Sequence, residues 1–376
     1  MPGFELIGKE EFDEVKDLFD NSGILFRHGF DNLRNGIYKV REFETKFAEY
    51  VGADDALAVT SGTAAILVAL KALGIGKGDQ VVVPAFTFVA TIEAVIEVGA
   101  IPVVCGIDTS LNMCAEQLKE CITNKTKAVI VVHMLGTPTN MVPIMELAET
   151  NSLYVIEDTA WGCGGSLNDK FLGTIGDVGT YSFDFAKTMT TGEGGMIVCK
   201  DTEVLEKAKA YHDHGHENNP ELPRWKDSRS STGFNYRMSE LQGAVGIAQL
   251  RKLPIIVEKQ RSNADRIKSL LRTQNLEIRK MPSGSLPTSD AVVFLANSSK
   301  EAEEYRNKFL EQGISTKILP EAITWHFAGD WEHIPELVFN RNMIEQSRLL
   351  LSRCVAIPIN VHMSDDLFMK IHKVLS

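Results

Sequence analysis

The chain has 376 residues, 44% of them hydrophobic and 24% charged, and a formal net charge of -11. That length suits two domains better than one, and the composition is that of a globular protein with apolar residues enough for a sizeable core. The acidic balance argues against a nucleic-acid partner, which needs clustered Lys and Arg to neutralise phosphates, but leaves an anionic small substrate open.

Met1-Pro2-Gly3-Phe4-Glu5-Leu6 lacks the basic and apolar stretches of a signal peptide. No apolar run approaches the roughly 20 residues that a membrane span requires. The six cysteines have no CxxC spacing and read as free thiols of a reducing compartment. A soluble, cytoplasmic protein is expected.

In chain order, residues 64–72 read as a helix, 81–83 as a β-branched strand stopped by Pro84, and 91–98 as a helix. A strand at 101–104, a helix at 116–122 and a fully apolar strand at 128–132 follow. Residues 145–149 belong to another helix before a strand that ends at Asp158. Apolar strands separated by helices predict a mainly parallel sheet covered on both faces. Strands at 180–183 and 196–199 with a glycine-rich turn between them predict a local antiparallel pair. The polar stretch 212–231, with Asn218, Asn219, Pro220 and Pro223, reads as a long irregular loop, usually functional or disordered. Helices are predicted over 239–253 and 256–271, bridging to a second domain. That domain contains an alternating strand at 291–296 and helices at 301–312 and 365–374. There is no internal repeat.

The most informative run is Tyr181-Ser182-Phe183-Asp184-Phe185-Ala186-Lys187-Thr188-Met189-Thr190-Thr191-Gly192-Glu193-Gly194-Gly195. A lysine just past an aromatic strand, before a glycine-rich turn, is well placed to hold an aldehyde cofactor as a Schiff base. Upstream, Asp158 closes an apolar strand and could pair with a pyridinium nitrogen, keeping the ring an electron sink. Ser61-Gly62-Thr63 precedes an Ala-rich helix, where free amides and the dipole suit a phosphate; a plain helix cap uses the same residues.

Ser61-Gly62-Thr63, Glu157-Asp158, Ser182-Phe183 with Lys187, Gly192-Glu193-Gly194-Gly195 and Asn235-Tyr236-Arg237-Met238-Ser239-Glu240 occur in that order. In them the chain closely resembles the pyridoxal-phosphate sugar aminotransferases of the DegT/StrS family, from about residue 44 to 250 and more weakly onward. The resemblance implies an α/β aspartate-aminotransferase fold (pyridoxal-phosphate fold type I), with a mainly parallel sheet between helices and a smaller C-terminal α+β domain. We expect a large cofactor domain at 1–254, with an N-terminal arm, and a small domain at 255–376.

The resemblance also implies roles. Lys187 would carry pyridoxal 5'-phosphate and shuttle a proton once released, the cofactor passing through pyridoxamine 5'-phosphate. Asp158 would face the ring nitrogen, Phe88 would lie against the ring, and Ser182 would touch the phosphate. Asn235 would reach the phosphate from the other subunit of a homodimer. The family's sugar 3-dehydratases carry histidine in place of this lysine, so Lys187 favours transamination from L-glutamate to a keto-sugar; a regulatory binding role finds no basic patch. One departure stands out: Gln or His is common three residues after the aspartate, whereas here Trp161 offers a donor-only indole N–H or a face to pack on the ring.

His212-Asp213-His214-Gly215-His216 alternates as a zinc site could, yet His214-Gly215 matches the family's pair before its substrate loop, so no metal is expected. Arg27, His214, Arg224 and His326 are candidate substrate contacts, with Arg229 and Arg237 as further guanidinium forks for carboxylate or phosphate. His133 at a strand end reads as structural. A narrower likeness, in Phe26-Arg27, Phe30-Asp31, Arg34-Asn35 and Asp213-His214-Gly215-His216, points to the 8-amino-3,8-dideoxy-octulosonate transaminase subfamily, whose acidic sugar carries no nucleotide. Nucleotide-linked 3- or 4-keto-6-deoxy sugars are the alternative acceptors.

Overall fold

Continuous β-branched runs build the centre of the molecule, described here for residues 2–219 and 221–376 by a computed structural model. Met1 of the leader reading and Pro220 of the loop reading lie outside the described residues. Apart from four two-residue strands, the strands among the described residues are β1 (Ala56–Val59), β2 (Gln80–Pro84), β3 (Ile101–Cys105), β4 (Thr126–Val132), β5 (Tyr154–Asp158), β6 (Val178–Ser182), β7 (Gly195–Cys199), β8 (Ala291–Leu295), β9 (Val338–Phe339) and β10 (Cys354–Pro358). Eight of them form one sheet in the order β1-β7-β6-β5-β4-β2-β3-β9. Every neighbouring pair from β6 to β9 is parallel. Only β7 runs the other way, pairing antiparallel with β6 and β1.

Both faces of the sheet are buried, as a parallel sheet requires. Val81, Val83, Ile130 and Ile156 pack into one core, while Val82, Val129, Val131 and Val155 pack into another on the opposite side. Their side chains alternate along each strand, so no polar stripe is present.

The two helices predicted over 239–253 and 256–271 are one helix of 34 residues, Glu240–Thr273, with Pro254 inside. A proline there removes one ladder bond, at a cost of about 3 kcal/mol. Burial of Ile247, Leu253, Ile256 and Val257 on both sides of it holds the turns in line. Ser239 caps the helix start in a reciprocal box with Gln242. The helices Lys9–Asn21 and Lys39–Val51, not anticipated from the sequence, pack on its first half.

Beyond this helix, β8 pairs antiparallel with β10 and with Glu277–Ile278. The sheet buries Phe294, Val355 and Ile357 with Phe368 and with Ala264, Ile267 and Leu271 of the long helix. On this separate core we propose the two-domain division, although 254/255 falls within the helix and β9 returns to the large sheet.

Candidate active site

Parallel strands bring their carboxyl ends to one edge, where loops diverge and leave a crevice. Asp158 is the last residue of β5 and Ser182 the last of β6. The loop that reverses direction into β7 begins there and carries Lys187. A cavity of about 300 Å³ opens at this edge. Ser61, Gly62, Thr63, Phe88, Asp158, Trp161, Ser182, Lys187 and His326 all line it.

Each wall has a local cause. Ser61 caps the helix Gly62–Ala72, its hydroxyl accepting from the Ala64 amide at 3.0 Å and its carbonyl from the Ala65 amide at 3.0 Å. The amides of Gly62 and Thr63, in the first turn, have no intrahelical acceptor. A Cβ on Gly62 would stand 2.7 Å from Cβ of Ser182, so only glycine lets the two meet. Asp158 is buried and anchored: Thr91 Oγ1 donates to one oxygen at 2.8 Å and the Ala160 amide to the other at 3.1 Å. Behind it, buried Glu157 accepts from the Gly173, Ile175 and Gly176 amides and from His133 Nε2 at 2.9 Å. The Thr139 amide donates to His133 Nδ1, which leaves the ring proton on Nε2 and aims it at Glu157.

The loop after β6 is held by Thr190, which bonds Phe183 O and accepts from the Gly192 amide, and by Gln249, which accepts from the Thr190 amide. The Lys187 amine lies 3.7 Å from the Trp161 ring centroid. Burial lowers its pKa to about 8, against the opposing pull of Asp158, Asp184 and Asp290 and with a further push from Lys317. The C-terminal segment delivers His326: Thr87 N donates to His326 O and Ala328 N to Ala85 O, both at 2.9 Å. Its ring faces Phe88 at 5.6 Å between centroids. Burial lowers its pKa to about 4.

Four candidates lie elsewhere in the protomer. Arg27 donates to Glu44 at 2.6 Å and lines a second cavity, of about 560 Å³, with His28 and His212. Arg224 forks onto buried Asp213, which Arg237 also contacts. His214 is exposed, with a left-handed backbone at φ 56°. Asn235 is exposed and its backbone bridges Asp213. The histidines of this segment diverge: His212 bonds Lys209 O, and His216 bonds Asp227 at 3.0 Å. Among the described residues no group of three or more His, Cys, Asp or Glu could hold a metal, and no helix is long and apolar enough to cross a membrane.

Sequence reasoning missed Thr91, Asp184 and Glu193 at the cavity and the Lys317–Asp290 pair beside it. Thr91 carries a usable signal, three residues after Phe88 on a helix start. Lys317 and Asp290 carry none, because only the packing of the C-terminal part brings them here.

A desolvated lysine amine, an anchored carboxylate, free helix-start amides and an aromatic wall in one cavity fit an aldehyde cofactor bearing a pyridine ring and a phosphate. The pattern that defines the DegT/DnrJ/EryC1/StrS aminotransferases matches residues 27–376. The chain is 34% identical over 313 residues to the GDP-perosamine synthase of Escherichia coli O157:H7, covering 83% of this chain and 82% of that one. It is 34% identical over 276 residues to the dTDP-4-dehydro-2,3,6-trideoxy-D-glucose 4-aminotransferase of Saccharopolyspora spinosa, covering 71% and 69%. The solved aminotransferase of Psychrobacter cryohalolentis superposes with a TM-score of 0.86 at 28% identity, over 98% of this chain and 96% of that one.

Proposed function

The chain belongs to the DegT/DnrJ/EryC1/StrS aminotransferase family, and from that premise we propose that it moves an amino group from L-glutamate to a nucleotide-linked keto-deoxy sugar. It is a pyridoxal-phosphate-dependent sugar aminotransferase. The observation that carries the residue assignment is the meeting of Lys187, Asp158, Phe88 and the Ser61–Thr63 turn in one cavity.

When bound, pyridoxal phosphate supplies an electron sink for the charge left on carbon when a proton is removed. Lys187 would hold it and, when free, would accept and return that proton, a task suited to an amine whose pKa burial lowers toward neutral. Asp158, fixed by Thr91 and the Ala160 amide, keeps the ring nitrogen protonated. The Gly62 and Thr63 amides and the Ser182 hydroxyl take the phosphate, with Asn235 of a second subunit completing the cradle in a homodimer.

Two observations favour a nucleotide-linked acceptor over a free acidic octulosonate. The relatives above are named for GDP- and dTDP-linked sugars. The charges behind the octulosonate likeness are also spent within the chain, Arg27 on Glu44, Arg34 on Glu240, and Asp213 on Arg224 and Arg237.

The test is the visible spectrum of the purified protein with added cofactor. We expect a band that L-glutamate bleaches, that a nucleotide-linked 4-keto-6-deoxy sugar restores, and that Lys187→Ala never develops. Restoration by the eight-carbon acidic sugar alone would return the octulosonate reading. A band untouched by glutamate would overturn the donor assignment.

A further inference from the structure

Two side chains beside Lys187 have no role in the scheme above. Trp161 stands on the loop that follows β5, with the Lys187 amine 3.7 Å from its ring centroid. The amine of Lys317 lies 4.9 Å from the same centroid. Two cations thus share one indole. The ring attracts each of them, at about 0.5–2 kcal/mol, and does nothing to relieve their mutual repulsion.

The two are not equivalent. Lys317 is pinned by Asp290 at 2.6 Å, and that carboxylate is 1% exposed. Among the described residues no hydrogen bond reaches either Asp290 oxygen, so the ion pair alone answers its buried charge. Asp290 holds the Lys317 amine in place beside the indole. For Lys187, Asp158 from the end of β5, Asp184 from its own loop and Asp290 all favour the charged amine, against burial and Lys317, and Glu193 and His326 stand on the cavity wall.

We propose that Trp161 and Lys317, the latter held by Asp290, form a positioning unit for Lys187: the indole seats the ammonium when it is not covalently engaged, and Lys317 opposes that charge, so that the seat does not lock the amine in its charged form. A carboxylate in place of the indole would hold the amine as a fixed ammonium. An aromatic face holds it weakly enough to leave. The unit also gives a use to Trp161, where the family commonly has Gln or His. This inference rests on Lys187 being the cofactor lysine.

Competitive acylation of the full-length protein in its pyridoxamine-phosphate form, followed by mass spectrometry of the Lys187 peptide across pH, reads the amine directly. The cofactor's absorbance reports loading separately, so failure of the cofactor reading appears as missing absorbance and not as an unmoved midpoint. The wild-type midpoint is expected below that of an ordinary lysine, because the amine is buried. Lys317→Met and Lys317→Gln should both raise it, and Lys317→Arg should leave it in place. The Gln variant keeps a donor for Asp290 and so protects the fold. Trp161→Leu should lower the midpoint, because the ring face that favours the ammonium is gone. Unmoved midpoints in the Met and Gln variants would overturn the electrostatic role, and an unmoved midpoint in Trp161→Leu would overturn the seat.

Discussion

At the scale of residues, the site is a set of charges whose partners decide their chemistry. Glu157 and Asp158 are adjacent carboxylates with opposite surroundings. Asp158 lines the cavity, while Glu157 points the other way into three backbone amides and His133. Burial alone would push the Glu157 pKa up, but the His133 bond and the amides outweigh it, and the pKa lies below the ordinary 4.5. Its stabilising contribution is therefore complete above pH 4.5 and is lost as pH falls through the lower folded value. Glu157→Gln, which turns an NH2 toward backbone donors, should cost about 3 kcal/mol near neutral pH. Thermal melts should show the gap to wild type narrowing below pH 4.5. Lys187, Asp158 and Ser182 were legible in the sequence because each ends or follows a strand whose apolar run is plain. Arg27 and Arg224 were legible only as charges, since their partners Glu44 and Asp213 lie 17 and 11 residues away and folding alone pairs them.

At the scale of elements, the main strands and helices between residues 62 and 199 followed from period and composition, while the helices Lys9–Asn21, Lys39–Val51 and Arg341–Leu351 and the strands β1 and β10 did not. The antiparallel β6–β7 pair around Lys187 came from the glycine-rich turn between two apolar runs. The long helix Glu240–Thr273 was read as two; Pro254 stands between the two pieces, and the buried side chains on both sides, which hold the turns in line, were invisible without their neighbours. The Gly62–Ala72 helix comes close to the end of β6. Gly62→Ala sets a Cβ 2.7 Å from that of Ser182 and forces the helix start away from the strand. A loss of about 1–3 kcal/mol is expected, with weaker cofactor uptake in a spectral titration. A variant with unchanged melting and uptake would show that the cradle tolerates the shift.

At the scale of the whole molecule, the protomer holds most of the assigned site but leaves Asn235 exposed and away from the cavity. If a second subunit brings Asn235 in, Lys187→Ala and Asn235→Ala proteins, each inactive alone, should regain roughly a quarter of wild-type activity when their subunits exchange at random. No recovery on mixing would place the whole site within one chain. The family resemblance implies this arrangement, while the residues alone carry no mark of which copy a loop serves. The helix Glu240–Thr273 adds a mechanical consequence. At 1.5 Å per residue it is a rod about 50 Å long. Its far end is embedded in the C-terminal core, and its near end is capped by Ser239, four residues after Asn235. A tilt of the small unit is therefore a lever stroke whose other arm is the Asn235–Ser239 strap. Packing on both sides of Pro254 keeps the rod straight where one rung is missing, so the two arms move together.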